Sequence, residues 1–166
     1  MPTERSAGIL LFRKSTAAAP AAGAPEFLLV HPGGPYWTKR DLGAWSIPKG
    51  GLEDGEDPRD CALREMAEEL GAAPDLAPED LVELGSVRQQ AGKVVEAWAA
   101  EADFDPGALF SNTFAMEWPP RSGNEQEFPE VDRAEWFDLT QARRKVLPAQ
   151  AAFLDRLLEH LGLPAD

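Results

Sequence analysis

The sequence predicts a single domain of the α/β class. Two short apolar runs, residues 7–12 and 27–31, have the length and composition of buried strands. Near the C-terminus, apolar side chains between Phe153 and Leu161 repeat at helical spacing and predict an amphipathic helix over residues 148–161. The chain has 166 residues and 43% hydrophobic content, enough for one sizeable core but short for two. We therefore expect one domain spanning residues 1–166.

The strongest helix signal lies over residues 58–70. Asp57 can accept hydrogen bonds from free N–H groups at the start of the helix, and Pro58 suits the first helical position. Gly71 suits the left-handed conformation that ends many helices. Both ends of this helix are thus predicted from residue type.

The other elements follow from turn residues and apolar patterns. Strands are predicted at residues 45–47, 81–90, 93–103 and 134–137. The middle two are expected to be joined by a tight turn. Asp138 and Gln141 match a capping box for a helix that continues to residue 145. Residues 15–25 are expected to form a solvated hairpin loop, and residues 104–129 a long irregular excursion.

Composition excludes some classes of function. The formal net charge is −13, whereas a protein that binds nucleic acid without regard to sequence needs a surplus of Lys and Arg. An anionic substrate would need a cation to bridge it to such an acidic surface, which favours a divalent metal. The single cysteine, Cys61, allows no internal disulfide and no cysteine-based zinc cluster. The N-terminal apolar run is too short for a signal sequence or a membrane span, so we expect a cytoplasmic protein.

Glutamates cluster on one side of the helix over residues 58–70. Glu65, Glu68 and Glu69 are neighbours at i, i+3 and i+4 positions. A helical wheel places them opposite an apolar face made by Leu63, Met66, Ala67 and Leu70. The cluster fits either a solvated acidic face or a set of hard oxygen ligands for Mg²⁺ or Mn²⁺.

The residues around the cluster favour the metal site. Gly50 is followed after five residues by Glu56, and after seven more by the run Arg-Glu-Met-Ala-Glu-Glu-Leu-Gly-Ala, from Arg64 to Ala72. This pattern resembles the Nudix box and matches it at every fixed position. Ala72 stands where the family commonly has a larger aliphatic residue, which concerns packing rather than chemistry. The flanking order of strands is also similar to the family, so the resemblance extends to the whole domain.

The resemblance implies an α/β/α sandwich with a mixed β-sheet and a hydrolase that cleaves a diphosphate linkage. Family roles at matching positions imply that Mg²⁺ or Mn²⁺ is held by Glu65, Glu68, Glu69 and the backbone carbonyl of Gly50. Arg64 and Glu56 would form an ion pair that orients the helix. Arg64 can also pair with Glu68 one turn further on, and the two pairings are compatible.

Several substrates stay open within this family. They are dinucleoside polyphosphates, nucleoside triphosphates, ADP-ribose-like sugars and capped RNA ends, all small nucleotide or polyphosphate groups. The lead-in at residues 45–50 is similar to that of diadenosine polyphosphate hydrolases. An alternative from another class is a Nudix-fold module that senses a nucleotide without cleaving it. The intact set of box carboxylates favours the enzyme.

Residues outside the box complete the predicted site. Glu130, six residues before Trp136, resembles a later-loop glutamate that several Nudix hydrolases use as a metal ligand or base. Glu125 and Glu127 compete for that role, and the general base can also come from the box. Contacts with the substrate are expected from basic and aromatic side chains of the loops: Lys49, Lys39, Arg40, Tyr36 and Trp37.

Other residues with aromatic or reactive side chains are interpreted as structural. Trp45 lies on a short predicted strand and is expected in the core. His31 and His160 have no metal-binding partners nearby in sequence. Acidic neighbours should raise the pKa of the Cys61 thiol, so Cys61 is not expected to act as a nucleophile.

Overall fold

The computed structural model describes residues 4–16 and 23–164. The strands within them are β1 (Arg5–Lys14), β2 (Pro25–Pro32), β3 (Lys49–Gly51), β4 (Val82–Arg88), β5 (Val94–Glu101), β6 (Thr113–Glu117), β7 (Glu125–Pro129) and β8 (Val131–Asp138). The helices are α1 (Pro58–Leu70), α2 (Leu139–Lys145) and α3 (Ala151–Leu161). No helix in this part of the chain is both long and apolar enough to cross a membrane.

The main sheet is mixed. Its strand order is β4-β5-β1-β2-β8, and β3 also pairs with β1. β1 runs parallel to β5, whereas its pairings with β2 and β3 are antiparallel. The pair β6 and β7 forms a separate two-stranded sheet. The predicted mixed α/β fold is therefore confirmed.

Two hydrophobic clusters cover opposite faces of this sheet. Successive side chains of a strand point to opposite faces, so Leu10 and Ile9 of β1 enter different clusters. Leu10 packs in the cluster that contains the apolar side of α3, and Ile9 packs in the cluster that contains α1. Each fully buried Leu or Ile contributes about 1.5–3 kcal/mol. The sheet is thus sandwiched between helices, as expected.

The ends of α1 are confirmed. The Asp57 carboxylate accepts hydrogen bonds from the backbone N–H groups of Arg59 at 2.8 Å and Asp60 at 3.4 Å. Gly71 ends the helix with φ of 78° and donates its N–H to the Ala67 carbonyl. A side chain at this position would also collide with the backbone of Phe110. Residue type at both ends therefore determines the length of the helix.

Other elements differ from the sequence prediction. Residues 45–47 form only isolated bridges, because Ser46 pairs with Val30 on one side and Trp45 with Val146 on the other. Residues 148–150 form a 3₁₀ turn, so the last α-helix begins at Ala151. Part of the expected hairpin loop, residues 17–22, lies outside the described residues.

The prediction of an irregular excursion over residues 104–129 was partly wrong. It contains the β6–β7 hairpin, in which Phe114 lies opposite Phe128. Their ring centroids are 6.0 Å apart. This cross-strand aromatic contact stabilises a hairpin whose other side chains are largely exposed and polar. Strand pairing, rather than apolar alternation in the sequence, defines this element.

Candidate active site

The catalytic candidates on α1 lie at the edge of its buried face. The buried side chains of the helix are Cys61, Ala62, Met66 and Leu70. Glu65 and Glu69 follow Cys61 at four-residue intervals and are half-buried, whereas Glu68 and Ala67 are exposed. The predicted apolar face was therefore wrong at Ala67. Glu65 and Glu69 flank the packed stripe instead of lying opposite to it.

Arg64 connects the helix to the preceding loop. Its Nε and Nη2 each donate a 2.8 Å hydrogen bond to the Glu56 carboxylate. Nη1 donates to Glu65 at 2.9 Å and to Glu68 at 3.3 Å, and Nη2 reaches the Gly51 carbonyl at 3.3 Å. The ion pairs of Arg64 with Glu56 and with Glu68 are thus both present. A planar guanidinium suits this arrangement because its donors point in fixed directions.

These contacts shift the pKa values of Glu56 and Arg64. Hydrogen bonds from Arg64, aided by the Glu53 backbone N–H, lower the pKa of Glu56 to about 2. The same hydrogen bonds raise the pKa of Arg64 above its ordinary value, against the opposing effect of burial. Both groups are therefore charged at neutral pH, and the pair holds the loop against the helix.

The Glu65 carboxylate lies directly against Gly50. A Cβ atom at residue 50 would collide with the carboxylate of Glu65, whereas one at Gly51 would meet only the Arg5 carbonyl oxygen, 4.0 Å away. Burial, followed by repulsion from Glu68, raises the pKa of Glu65. Glycine at residue 50 therefore leaves room for a carboxylate that is partly removed from water.

Glu69 is the most strongly perturbed carboxylate of the site. Burial raises its pKa to about 8, although the Lys49 backbone N–H donates to its Oε1 at 3.2 Å and lowers it. Burial also lowers the pKa of the Lys49 ammonium. Strand β3 thus brings a half-buried amine and a half-buried carboxylate to the same place. Such perturbed pairs in a cavity are typical of functional sites.

A cavity of about 640 Å³ opens beside these residues. Its wall includes Lys49, Glu69 and Glu130. After burial and nearer charges, the charge of Glu130 also contributes to raising the pKa values of Glu65 and Glu69. Glu130 follows β7 directly, so the strand junction between β7 and β8 brings this later glutamate to the box helix. Glu125 and Glu127 lie on β7 and do not line the cavity.

The aromatic and basic loop residues divide into two groups. Trp37 and Arg40 line the cavity, with the Arg40 guanidinium carbon 5.3 Å from the centroid of the Trp37 ring. Tyr36 and Lys39 are exposed and lie outside its lining. The Tyr36 ring instead makes an edge contact with Trp118, with centroids 5.3 Å apart.

Three of the residues interpreted as structural, Trp45, His31 and Cys61, are buried, whereas His160 is exposed in the last turn of α3. Trp45 is fully buried and donates its indole N–H to Asp41 at 2.8 Å. His31 is also buried and makes hydrogen bonds with Asp132 and with the Arg40 carbonyl. Burial, then the charge of Glu56, raises the pKa of Cys61 to about 11. The sequence predicted the direction of this last shift but attributed it to charge, whereas burial is the larger cause.

The oxygen ligands fit a hard divalent cation in chemical type. Within residues 4–16 and 23–164, no three His, Cys, Asp or Glu side chains are already grouped to hold a metal ion. The Arg64 guanidinium donates hydrogen bonds to Glu65 and Glu68, so a bound cation would compete with Arg64 for these two carboxylates. Carboxylates are preferred by Mg²⁺ and Mn²⁺, and the raised pKa values of Glu65 and Glu69 reflect a cost that positive charge would offset.

Sequence reasoning missed one wall of the cavity. It is formed by residues from the β4–β5 connection and from the segment before α3: Gln89, Gln90, Lys93, Leu147, Pro148 and Ala149. These residues carry no motif, and the two segments are joined by the Gln150 side chain, whose Nε2 donates to Gln89 Oε1 at 2.8 Å. No spacing rule within the sequence would have grouped them.

The fold and the site define an α/β/α sandwich protein that carries a carboxylate-rich helix beside a cavity lined by both charged and apolar residues. The chain belongs to the Nudix domain family, whose model matches residues 2–160. It is 29% identical to an RNA pyrophosphohydrolase of Rhizobium meliloti (strain 1021) over 116 residues, which are 63% of this chain and 64% of that protein. It is 57% identical over 37 residues to an RNA pyrophosphohydrolase of Roseobacter denitrificans, 22% of this chain and 23% of the relative. The chain thus spans less than two thirds of the length of these relatives.

Solved structures share the fold at low sequence identity. A C. elegans Ap4A hydrolase in a binary complex has a TM-score of 0.60 and 23% identity, covering 95% of this chain and 98% of that chain. The NUDIX domain of Shewanella oneidensis NrtR, complexed with ADP ribose, has a TM-score of 0.62 and 18% identity, covering 97% of this chain and 90% of that chain.

Proposed function

We propose that this protein hydrolyses a diphosphate linkage in a nucleoside diphosphate joined to another group, such as a dinucleoside polyphosphate or a nucleoside triphosphate. The proposal rests on Glu69, a carboxylate with its pKa raised to about 8 by burial, in the wall of a cavity that also contains Lys49 and Glu130. The names of similar proteins, RNA pyrophosphohydrolase and Ap4A hydrolase, agree with substrates of this kind.

Glu65, Glu68 and Glu69, with the Gly50 carbonyl, would hold Mg²⁺ or Mn²⁺. The metal supplies charge neutralisation for the polyphosphate and activation of a water molecule. Arg64 keeps α1 in place by binding Glu56 at one end of its guanidinium and Glu65 at the other. Ordered carboxylates are needed because catalysis depends on reacting groups already in position.

Glu130 is the proposed proton acceptor. Its carboxylate makes no hydrogen bond or ion pair within the described part of the chain and lines the cavity, whereas Glu65 and Glu68 are engaged by Arg64. The water oxygen forms a bond to phosphorus while Glu130 takes its proton. The bond from phosphorus to the bridging oxygen breaks, and the leaving phosphate carries away its electron pair.

Binding is assigned to the basic and aromatic residues of the cavity wall. Lys49 and Arg40 would contact phosphate oxygens, Lys as a point charge and Arg through its planar set of donors. Trp37 offers a ring for stacking on a base. The single buried thiol, Cys61, fits a reducing compartment, and we propose a cytoplasmic location.

A substrate panel tests the proposed function. Nucleoside triphosphates, dinucleoside polyphosphates, ADP-ribose and 5′-triphosphorylated RNA would be incubated with Mg²⁺ or Mn²⁺, with and without a chelator, and phosphate products measured. Hydrolysis that the chelator abolishes supports the proposal. Full turnover in excess chelator would contradict the metal assignment. Binding of a nucleotide without hydrolysis of any substrate would show a sensor instead.

A further inference from the structure

Gln150 connects the two segments of the cavity wall that sequence analysis missed. Its side chain is buried, 1% exposed, immediately before α3. Its Oε1 accepts a 3.0 Å hydrogen bond from the Ile47 backbone N–H. Its Nε2 donates to the Ser46 hydroxyl at 3.0 Å and to Gln89 Oε1 at 2.8 Å.

The orientation of both amides follows from the first of these contacts. A backbone N–H can only donate, so the Gln150 atom that faces Ile47 must be its oxygen. The Gln150 nitrogen then faces Gln89, and because this nitrogen can only donate, the Gln89 atom it meets must also be an oxygen. This hydrogen bond uses one of the two lone pairs of the Gln89 oxygen and turns that oxygen toward the buried Gln150 side chain. Its NH₂ group is the part of the amide left for another partner.

This NH₂ group is available to a ligand in the cavity. Gln89 lines the cavity and is half-buried. Its Nε2 makes no hydrogen bond within the described residues. This nitrogen is not fully buried, so a ligand can reach it. The wall around it combines Gln90 and Lys93 from the β4–β5 connection with Leu147, Pro148 and Ala149 from the segment before α3. An NH₂ group without a partner, on an amide whose oxygen is turned toward Gln150, can donate a hydrogen bond to the edge of a nucleobase.

We propose that Gln89, oriented by Gln150, selects nucleotides whose base presents hydrogen-bond acceptors, the 6-oxopurines, over 6-aminopurines. Guanine and hypoxanthine carry O6 and N7 as adjacent acceptors on one edge, whereas adenine places an amino donor beside N7. With adenine the Gln89 NH₂ group can donate to N7 but not to the amino group at C6, and that amino group gains no acceptor from the Gln89 oxygen, which is turned toward Gln150. Gln89 is the specificity-determining residue, and Gln150 is a positioning residue. This inference deepens the proposed nucleotide hydrolysis and rests on it for the identity of the ligand class.

ITP and ATP are the sharpest pair of probes, because they carry the same ribose and triphosphate and differ in the base at the 6-position edge. We expect the wild-type protein to have a KM and a Kd about fivefold to tenfold lower for ITP than for ATP. GTP should resemble ITP. Kd is measured by quenching of tryptophan fluorescence, and KM by phosphate release with Mg²⁺.

Gln89→Glu reverses the hydrogen-bonding character of the site. One carboxylate oxygen can still accept from Gln150, and the other now presents an acceptor to the base. The added charge weakens binding of both triphosphates to the same extent, so it cancels in the ratio of the Kd for ATP to the Kd for ITP. This ratio should fall to one, or below one if the preference reverses. Gln90→Glu is the matched control. It adds the same charge to an exposed residue of the same cavity wall outside the Gln150 network, and should leave the ratio at its wild-type value.

Gln150→Glu tests the positioning role. It keeps an acceptor for the Ile47 N–H, but an ionised carboxylate has no hydrogen to donate to the Gln89 oxygen and accepts from the Gln89 NH₂ group instead, which turns the Gln89 oxygen toward the cavity. The preference for ITP over ATP should therefore fall or reverse, mainly through KM, with little change in kcat. Gln89→Glu supplies an independent test if the buried charge of Gln150→Glu prevents folding, which a melting curve would show.

The outcomes separate this inference from the proposed hydrolysis. Equal KM and Kd for ITP and ATP in the wild type, or an unchanged ratio in Gln89→Glu, would overturn the inference even if hydrolysis is observed. A preference for ITP in Kd without hydrolysis of any nucleotide would support the base assignment and contradict the proposed activity. Binding of none of these nucleotides would overturn both.

Discussion

Arg64 donates two hydrogen bonds of 2.8 Å to the Glu56 carboxylate and a third, of 2.9 Å, to Glu65. One guanidinium therefore links the loop before α1 to the carboxylate that lies against Gly50. Paired geometry of this kind is stronger than a single contact because two donors and two acceptors are matched. The relationship makes the position of Glu65 depend on Glu56, a residue on a different segment.

This pair predicts a dependence of stability on pH. The pKa of Glu56 is lowered from 4.5 to about 2 in the folded protein, so the unfolded chain binds the proton more readily. The stabilisation is fully present above the unfolded pKa of 4.5 and is lost as pH falls through about 2. Glu56→Gln should therefore lower the melting temperature at pH 7 and make it less sensitive to acid within this window. Glu53→Gln is the control and should follow the wild type, because Glu53 is exposed and the ion pairs of Arg64 within the described residues are with Glu56, Glu65 and Glu68. Parallel melting curves of Glu56→Gln and wild type from pH 5 to about pH 2 would contradict the role of the pair.

Glu69 and Glu79 provide a matched pair of carboxylates. Glu69 lines the cavity beside Lys49, whereas Glu79 is exposed in the 3₁₀ turn at residues 78–80. Glu69→Gln should lower kcat by roughly 10²–10⁴, the range for a lost catalytic group. Its melting temperature should stay the same or rise, because a carboxylate that pays a desolvation cost is replaced by a neutral amide.

Glu79→Gln should match the wild type in both measurements. Equal rates for the two variants at saturating Mg²⁺ would mean that the acidic side of α1 is only a solvated surface.

Gly50 and Gly51 are neighbours with different surroundings. Gly50→Ala would push a methyl group into the Glu65 carboxylate, whereas Gly51→Ala meets only the Arg5 carbonyl oxygen, 4.0 Å away. Displacement of a catalytic group by about 1 Å can cost about 10²-fold in rate. We expect Gly50→Ala to lose activity to this extent and Gly51→Ala to retain it, with both variants folded by circular dichroism. Full activity of Gly50→Ala would show that the position of Glu65 is not critical.

Trp37 and Tyr36 were interchangeable candidates for stacking on a base, and the structure distinguishes them. Trp37 lines the cavity, while the Tyr36 ring contacts Trp118 outside its lining. Stacking is worth about 1–3 kcal/mol per base, so Trp37→Ala should raise KM by at least about fivefold with a smaller change in kcat. Tyr36→Ala should leave KM near the wild-type value. A rise in KM for Tyr36→Ala alone would place the base on the Tyr36 and Trp118 side instead.

Local signals in the sequence were sufficient for the parts of the fold that residue type controls. Asp57, Pro58 and Gly71 set the ends of α1 because capping depends on nearest neighbours. The apolar runs of β1 and β2 were recognised because both faces of these central strands are buried. The β6–β7 hairpin escaped recognition because its side chains are mostly exposed, and its stability comes from pairing across the turn.

The sequence by itself determined the family and the carboxylates of the box, because their spacing is local and a helix converts it directly into neighbouring side chains. Tertiary structure alone decided that Glu65 and Glu69 are half-buried, that Trp37 rather than Tyr36 reaches the cavity, and that Gln150 orients Gln89. The Gln150 and Gln89 side chains are 61 residues apart in sequence. Their contact depends on the packing of α3 against β4, where Arg156 donates to the Leu84 and Ser86 carbonyls, and no local pattern encodes this packing.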